Sequence, residues 1–262
     1  MLRSLYTAAT GMRANQLFID NISNNLSNVN TTGYKKSKLE FQDLLYQTLI
    51  EPGGSNAEGA KSPAGLQVGL GVRSAANQRI FSQGNLQETK NPLDLAISGE
   101  GFLQVQMPSG EVAFTRDGTL KVSSDGTIVT SSGFPIEPSL QVPEGAKDIS
   151  IDAYGRVSVT LNESGATEEI GQIELAKFLN EGGLKSIGGN LYLATSASGE
   201  AEINNPGENN VGTLAQGFVE ASNVELVEEM VSMIIAQRAY EVSSKAIQTS
   251  DSMLQLANQL KS

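Results

Sequence analysis

Histidine, cysteine and tryptophan are absent from this 262-residue chain, and its aromatic residues are eight Phe and six Tyr. Without cysteine there is no disulfide framework, no thiolate metal site and no thiol nucleophile. Without histidine, Ser-His-Asp and Cys-His triads and imidazole zinc sites are also excluded, which removes most hydrolase designs. Few aromatics beside abundant Gly, Ser, Asn and Ala predict a thin core. Positive charge is short as well: 18 Lys and Arg stand against 29 Asp and Glu, a formal balance of -11. A nucleic-acid partner is not expected, because phosphate recognition needs a basic face. Attraction to an anionic membrane surface is disfavoured for the same reason. No run of about 18 apolar residues occurs, so direct membrane insertion is not expected. The residues from Met1 to Thr7 lack the apolar run of a cleaved secretory signal. A chain of this kind working outside the cytoplasm would leave it uncleaved.

What the sequence does contain is a long apolar stripe near its C-terminus. Ile235, Ala239, Val242, Ala246, Thr249, Met253, Leu256 and Leu260 follow one another at alternating spacings of four and three, a heptad seam. Val224, Val227, Val231 and Ile234 extend the stripe upstream at a slightly shifted phase. Ser222 supplies an N-cap hydroxyl and Glu225, three residues on, completes a capping box. A helix from Ser222 to the C-terminus would run roughly 55 Å at about 1.5 Å per residue. Leu5, Met12, Ile19 and Leu26 recur every seven residues at the other end, with Ala8, Ile22 and Val29 three further on. The two seams predict that the chain ends pack together as a helical pair. Small residues in the C-terminal seam bury little area, so such a pair should be weak alone and completed by other copies.

The expected fold class is α+β: the terminal helices paired as a coiled-coil-like unit, a central mostly antiparallel β-domain, and an extended stem between. The expected divisions are 1–33 with 222–262, then 34–90, then 91–221. Asn, Ser and Thr crowd residues 21–32 and should end the first helix there, with Gly33 as cap or turn. Phe41, Leu44, Leu45 and Leu49 have helical spacing and predict a short amphipathic helix, stopped at Pro52. A Gly- and Ser-rich stem follows to Gly65, then a strand over Val68 to Val72. From Leu93 the apolar period becomes two, and the turns at Gly110, Asp117-Gly118, Asp125-Gly126 and Tyr154-Gly155 predict hairpins.

Chemistry has few candidates. Asp94, Glu100, Asp117 and Asp125 could form a carboxylate pair of the glycosidase kind, although each sits where turn chemistry favours an acid. Neither Asp-Gly site fits a calcium loop, and no cofactor or metal is expected. Lys35, Lys36 and Lys38 form the one compact basic cluster; a solvated face is the ordinary reading, and acidic groups of a neighbouring copy are the sharper one.

Several longer segments resemble one family. Residues 23 to 35, Ser-Asn-Asn-Leu-Ser-Asn-Val-Asn-Thr-Thr-Gly-Tyr-Lys, are similar to the N-terminal signature of the bacterial flagellar axial proteins, the rod and hook subunits. Residues 222 to 230 and Gln237-Arg238-Ala239-Tyr240-Glu241 resemble their C-terminal signature. Residues 91 to 97, Gly99-Glu100-Gly101-Phe102 and residues 114 to 118 are similar to their outer β-domain motifs. Phe41 to Tyr46 and Tyr240 to Met253 look most like distal rod subunits, with proximal rod subunits next. The resemblance implies a non-enzymatic subunit of the flagellar basal body, exported through the flagellar type III apparatus without signal cleavage. It would polymerise in the periplasm into a hollow helical drive shaft. Implied neighbours are itself, proximal rod subunits, hook and hook-junction subunits, and the ring proteins of the peptidoglycan and outer membrane. The expected assembly interface is Leu5, Met12, Ile19, Leu26, Val231, Ile235, Val242, Ala246, Met253, Leu256 and Leu260, with Ser222 and Glu225 as helix cap. The alternative function is a carbohydrate-binding or carbohydrate-cleaving cell-wall module with a helical anchor.

Overall fold

Two helices stand at the ends of the chain in the computed structural model, which describes residues 2–51, 64–161 and 167–259. The first, α1, spans Leu2–Ser27, and the second, α2, spans Leu226–Gln259. Between them lie short strands whose pairings are all antiparallel where their register is resolved. The architecture is α+β. No described helix is long and apolar enough to cross a membrane.

The chain forms two compact units. One comprises the described parts of Met1–Leu26, Ser37–Gln78 and Leu226–Ser262; the other comprises Ser27–Lys36 and the described parts of Arg79–Glu225. The sequence pattern assigns residues 27–33 and 222–225 to the terminal helical division, whereas here they cluster with the β unit. Their hydrogen bonds, described below, explain the difference.

In the helical unit α1 continues through Asn21, Ser23 and Asn24 to Ser27, past the point where its polar run predicts fraying. Asn21 and Asn25 both donate from Nδ2 to the Ser37 carbonyl at 2.9 Å, and Asn25 Oδ1 accepts from the Ser37 amide at 3.0 Å. Side chains engaged by a strand cannot compete for their own helix backbone. The helix expected over Phe41 to Leu49 is absent. Ser37–Asp43 pairs with Val72–Arg79, and Tyr46–Ile50 pairs with Leu66–Gly69. The backbone of Leu44 and Leu45 bonds to that of Gly71 and Leu70 in between. Cross-strand partners from distant sequence override the local helical spacing. Most of the expected stem, residues 52–63, lies outside the described residues.

The β unit is built on a seven-stranded sheet. In spatial order its strands are Lys185–Gly188, Leu191–Leu193, Val112–Thr115, Phe102–Gln106, Leu175–Lys177 and Glu202–Asn204, with Ile136–Glu137 also paired to Phe102–Gln106. A three-stranded meander runs through Ala146–Ile151, Arg156–Leu161 and Thr167–Gln172. The turns at Gly110, Asp125-Gly126 and Tyr154-Gly155 do join hairpins. Arg116-Asp117-Gly118 does not. Val112–Thr115 pairs with Phe102–Gln106 and Leu191–Leu193, while Leu120–Val122 pairs with Ile128–Thr130. Gly118 instead lies flat on another strand: its carbonyl accepts from the Leu95 amide at 2.9 Å, and a Cβ there would sit 1.6 Å from the Leu95 carbonyl oxygen.

The aliphatic core gathers Leu95, Ile97, Leu103, Leu120, Ile128, Val157, Ile173 and Leu175. The scarce aromatics are concentrated rather than spread: Phe81, Phe102, Phe114 and Phe178, half of the eight Phe, form one edge-to-face cluster with Tyr192, its successive ring pairs 4.8–6.2 Å apart at their centroids. That geometry adds to the value of each buried ring.

Candidate assembly interface

Within the helical unit, α1 and α2 run antiparallel. Ser4 faces Ser250 with the hydroxyls 3.3 Å apart, a Cβ on Gly11 would lie 3.6 Å from Ser243 Oγ, and Asn25 Nδ2 donates to Glu229 Oε2 at 3.3 Å. Moving seven residues forward on α1 moves seven back on α2. The contact line on α2 therefore runs through Glu229, Ala236, Ser243 and Ser250, supported by the half-buried Met233, Tyr240, Ile247 and Leu254. Small residues on both sides let the helices approach closely.

This line is one residue out of step with the seam that the sequence makes most conspicuous. Val231, Ile235, Val242, Ala246, Met253 and Leu256 are exposed, Ile235 at 60% and Val242 at 67%. Leu226, Val227, Met230 and Ile234 are exposed as well, so α2 carries an open apolar face along most of its length. On α1 the expected residues Leu5, Met12, Ile19 and Leu26 are half-buried, and the fully buried positions are Ala14, Ile22 and Asn25. Leu260 lies outside the described residues. A soluble monomer seldom leaves so continuous an apolar surface uncovered.

Ser222 and Glu225 do not start the helix as a capping box. The first helical residue is Leu226, so Glu225 occupies the position before it, and the Ser222 hydroxyl accepts from the Val224 amide at 3.3 Å. Val224 is buried and Asn223 is tied down, which holds this stretch extended until Leu226. Glu228 and Glu229 then place negative charge in the first turn, where the helix dipole favours it.

The segment 27–36 is a strap fastened across the β unit. The Gly33 amide donates to the Glu220 carbonyl at 2.8 Å, Asn190 Nδ2 donates to the Thr32 carbonyl at 2.8 Å, and Thr32 Oγ1 donates to Asp117 Oδ1 at 3.1 Å. Gly33 adopts φ +66°, and a Cβ would lie 2.7–2.9 Å from the backbone of Arg116 and Asp117. No other residue fits that approach. Asn223 accepts from the Lys36 amide at 2.7 Å and donates to the Ile80 carbonyl at 2.8 Å, so the segment before α2 lies beside the strap.

Under the strap lies a buried charge network. Lys35 Nζ is 2.6 Å from Glu220 Oε1 and donates to the Ser82 carbonyl at 2.8 Å. The Gly84 amide donates to the same Glu220 oxygen at 2.8 Å, and Arg116 reaches Glu220 Oε2 at 3.5 Å and the Gly99 carbonyl at 2.8 Å. Arg116 also stands over the Phe102 ring, 5.3 Å from its centroid. All three charges are buried. Desolvation pulls the Lys35 ammonium below its ordinary pKa, and Glu220 partly restores it. The solvated reading of Lys35 is thus overturned: its acidic partner is in its own chain. Of its neighbours, Lys38 is exposed and Lys36 is half-buried. Sequence reasoning misses Glu220 and Arg116; an acid set between Phe218-Val219 and Ala221 is the available signal.

Three of the four acids that could have formed a catalytic pair are occupied within the β unit. Asp117 Oδ1 accepts from Thr119 at its amide and hydroxyl, Asp94 accepts from Asn91 Nδ2 at 2.9 Å, and Glu100 pairs with Lys177 at 2.8 Å. The Lys177 hydrogen bond holds Glu100 below the ordinary carboxylate range. Half-buried Glu181 shifts the other way: desolvation raises its carboxyl, against the pull of Arg116. A raised acid keeps its proton in the fold at pH values where the unfolded chain has lost it, so ionisation at neutral pH costs stability. Glu181→Gln should raise Tm at pH 7, and the advantage should shrink as the pH falls into the ordinary carboxylate range. A pH series of melting curves would show it.

Comparison with known proteins gives one consistent family. Residues 5–35 match the model described as flagella basal body rod protein, residues 96–159 the flagellar hook protein FlgE/F/G D1 domain, and residues 215–260 the flagellar basal body rod FlgEFG protein C-terminal. The chain is 49% identical to the flagellar basal-body rod protein FlgG of Borreliella burgdorferi, over 100% of this chain and 99% of that one. It is 48% identical to the protein of the same name from Caulobacter vibrioides, covering both chains fully. The Bacillus subtilis counterpart is 40% identical, again over the full length of both.

Proposed function

Since this chain belongs to the flagellar basal-body rod and hook protein family and is a structural rod subunit, we propose that copies of it polymerise into the distal part of a hollow helical drive shaft that carries torque toward the hook. The observation that carries this reading is the open apolar face of α2, from Val227 to Leu256, in a chain whose net charge of -11 otherwise keeps it in water. The two helices already satisfy each other along a line of small residues, so the remaining face is free for the helices of neighbouring copies. The interface consists of Val231, Ile235, Val242, Ala246, Met253 and Leu256, joined by Leu260 and, from α1, by Leu5, Met12, Ile19 and Leu26. Repeated heterologous contacts of this kind build an open filament rather than a closed ring.

Its other neighbours are proximal rod subunits at one end, hook-junction and hook subunits at the other, and the peptidoglycan and outer-membrane rings around it. The chain reaches the periplasm through the flagellar export apparatus without cleavage. It inserts in no membrane, binds no nucleic acid and has no catalytic role. The domain division proposed is functional: the helical unit carries the assembly face, and the β unit holds the strap and the buried charge network.

Truncation tests the reading. Ending the chain at Glu225 keeps Asn223 and Val224, which belong to the β unit. The shortened protein should melt cooperatively, keep its near-ultraviolet signal from the aromatic cluster, and form no filaments in electron micrographs under conditions where the full chain does. Filaments of ordinary appearance from the truncated chain would overturn the proposal.

A further inference from the structure

Tyr6, Thr10, Ala14 and Leu17 stand a turn apart along one side of α1, and Leu44 and the start of the strand Val72–Arg79 lie opposite them. The Val72 amide donates to Thr10 Oγ1 at 3.5 Å. Between these walls runs a groove of about 370 Å³, all of it within the helical unit. Its α1 wall is about 16 Å long at 1.5 Å per residue. The lining is mostly apolar: Ala14 is buried, Leu44 and Val72 are half-buried, and Tyr6 and Leu17 are exposed.

The groove is basic in an acidic chain. Arg13 and Arg73 line it, both exposed, and no described acid does. Arg73 donates to Gln42 Oε1 at 3.1 Å, and neither guanidinium has an ion pair with a described residue. Asp43, next to Leu44, is engaged by the Tyr46 hydroxyl, whose pKa it raises. Arg3 and Asp20 lie beyond the two ends of the α1 wall, and Lys38 and Glu40 lie on the strand Ser37–Asp43; none of them lines the groove.

Such a groove suits an occupant that is helical, apolar and acidic, laying a row of large side chains along α1 and setting carboxylates against guanidiniums. The first turns of α2 have that make-up. Val227, Met230, Val231 and Ile234 are exposed on one face at spacings of three and four, a row matched to the turn-by-turn spacing of the α1 wall. Residues 225–235 include Glu225, Glu228 and Glu229 and no Lys or Arg. Glu229 is bonded to Asn25 of its own chain, whereas Glu225 and Glu228 are exposed. Further along α2, Arg238 and Lys245 would be repelled by two arginines, so charge selects the first turns.

We infer that the Arg13/Arg73 groove of one copy receives the first turns of α2 of the next, with Val227, Val231 and Ile234 laid against Leu17, Leu44 and Val72 and with Glu228 toward the two arginines. The inference rests on the polymer reading above and names where part of the open α2 face goes. Groove and occupant are different surfaces, so the contact is heterologous and propagates without closing on itself.

Because the chain has no cysteine, engineered thiols report the contact without background. Chains with Ser74→Cys, an exposed lining position, are mixed with chains carrying Val227→Cys, co-assembled and treated with a short bismaleimide. The expected product is the mixed dimer, formed in filaments and not in the dilute mixture, with neither chain alone giving dimers. Arg13→Glu with Arg73→Glu, at unchanged Tm, should raise the concentration needed for assembly roughly tenfold, and adding Glu228→Arg to that chain should recover most of the loss. Filaments without the mixed dimer, or arginine reversals that leave assembly unchanged, overturn the inference and leave the polymer reading in place. Coupling of the Ser74→Cys thiol to a Leu45→Cys chain instead overturns it in favour of the exposed strand pair of a second copy. Coupling to a different protein in purified basal bodies overturns it in favour of a foreign partner. If the unaltered chain forms no filaments at all, the polymer reading and the inference fall together.

Discussion

Glu220→Gln is expected to destabilise the β unit by about 3–5 kcal/mol, the range for removing one partner from a buried ion pair. The cause is the asymmetry of the site. Glu220 is the anion that both buried cations share: Lys35 Nζ stands 2.6 Å from one oxygen and Arg116 3.5 Å from the other. Without its charge, two cations remain in a region closed to water, and the Gly84 amide keeps only a neutral acceptor. For a chain of this size the loss corresponds to a fall in Tm of roughly 10 °C. Lys35→Met is the informative comparison. It removes the desolvation cost of an ammonium, leaves Glu220 with Arg116 and Gly84, and leaves the Ser82 carbonyl still accepting from Asn223 Nδ2 at 3.1 Å. The loss should therefore be clearly smaller. Urea titration of both variants measures the order, and a Glu220→Gln protein as stable as Lys35→Met would contradict the account of the site.

The second large effect concerns assembly rather than folding. Ile235→Glu combined with Val242→Glu alters two side chains that are 60% and 67% exposed in the single chain, so folding and Tm should change little. In the proposed filament these positions are covered. Each substitution then loses about 1.5–3 kcal/mol of apolar burial and adds a desolvated carboxylate. At tenfold per 1.4 kcal/mol, the concentration required for assembly should rise by at least about two orders of magnitude. Gln237→Glu and Gln248→Glu add the same charge at exposed polar positions and serve as controls. Sedimentation of filaments across a concentration series separates the cases. If the seam variants pelleted like the controls, the α2 face would not be the contact.

Much of this is legible in the amino-acid sequence because period and turn chemistry act locally. The heptads at both ends mark two helices, and Asp125-Gly126 and Tyr154-Gly155 mark hairpins through backbone preference alone. The face of α2 is harder. Ile235, Val242 and Leu256 look like the line that would pair with α1, yet that line is Ala236, Ser243 and Ser250. Small residues carry a weak apolar signal and are the ones that permit close approach. Leu44, Leu45 and Leu49 mislead for a different reason: strand pairing with Leu66–Gly69 and Val72–Arg79 depends on partners that no local window contains. The buried network is least legible. Lys35 and Glu220 are 185 residues apart, and nothing near Lys35 distinguishes it from the exposed Lys38.

That separation also sets an order of events. A chain that emerges N-terminus first, from a ribosome or a narrow pore, presents the strap long before Glu220 exists for it to meet. Thr32, Gly33 and Lys35 must wait for Arg116 and Asn190, and finally for the strand Phe218–Glu220. Contacts that close so long a loop form late. The strap can be locked only when nearly all of the chain except α2 is out. The buried charges thus close late, joining the segment after α1 to the segment before α2 once nearly everything between them is in place.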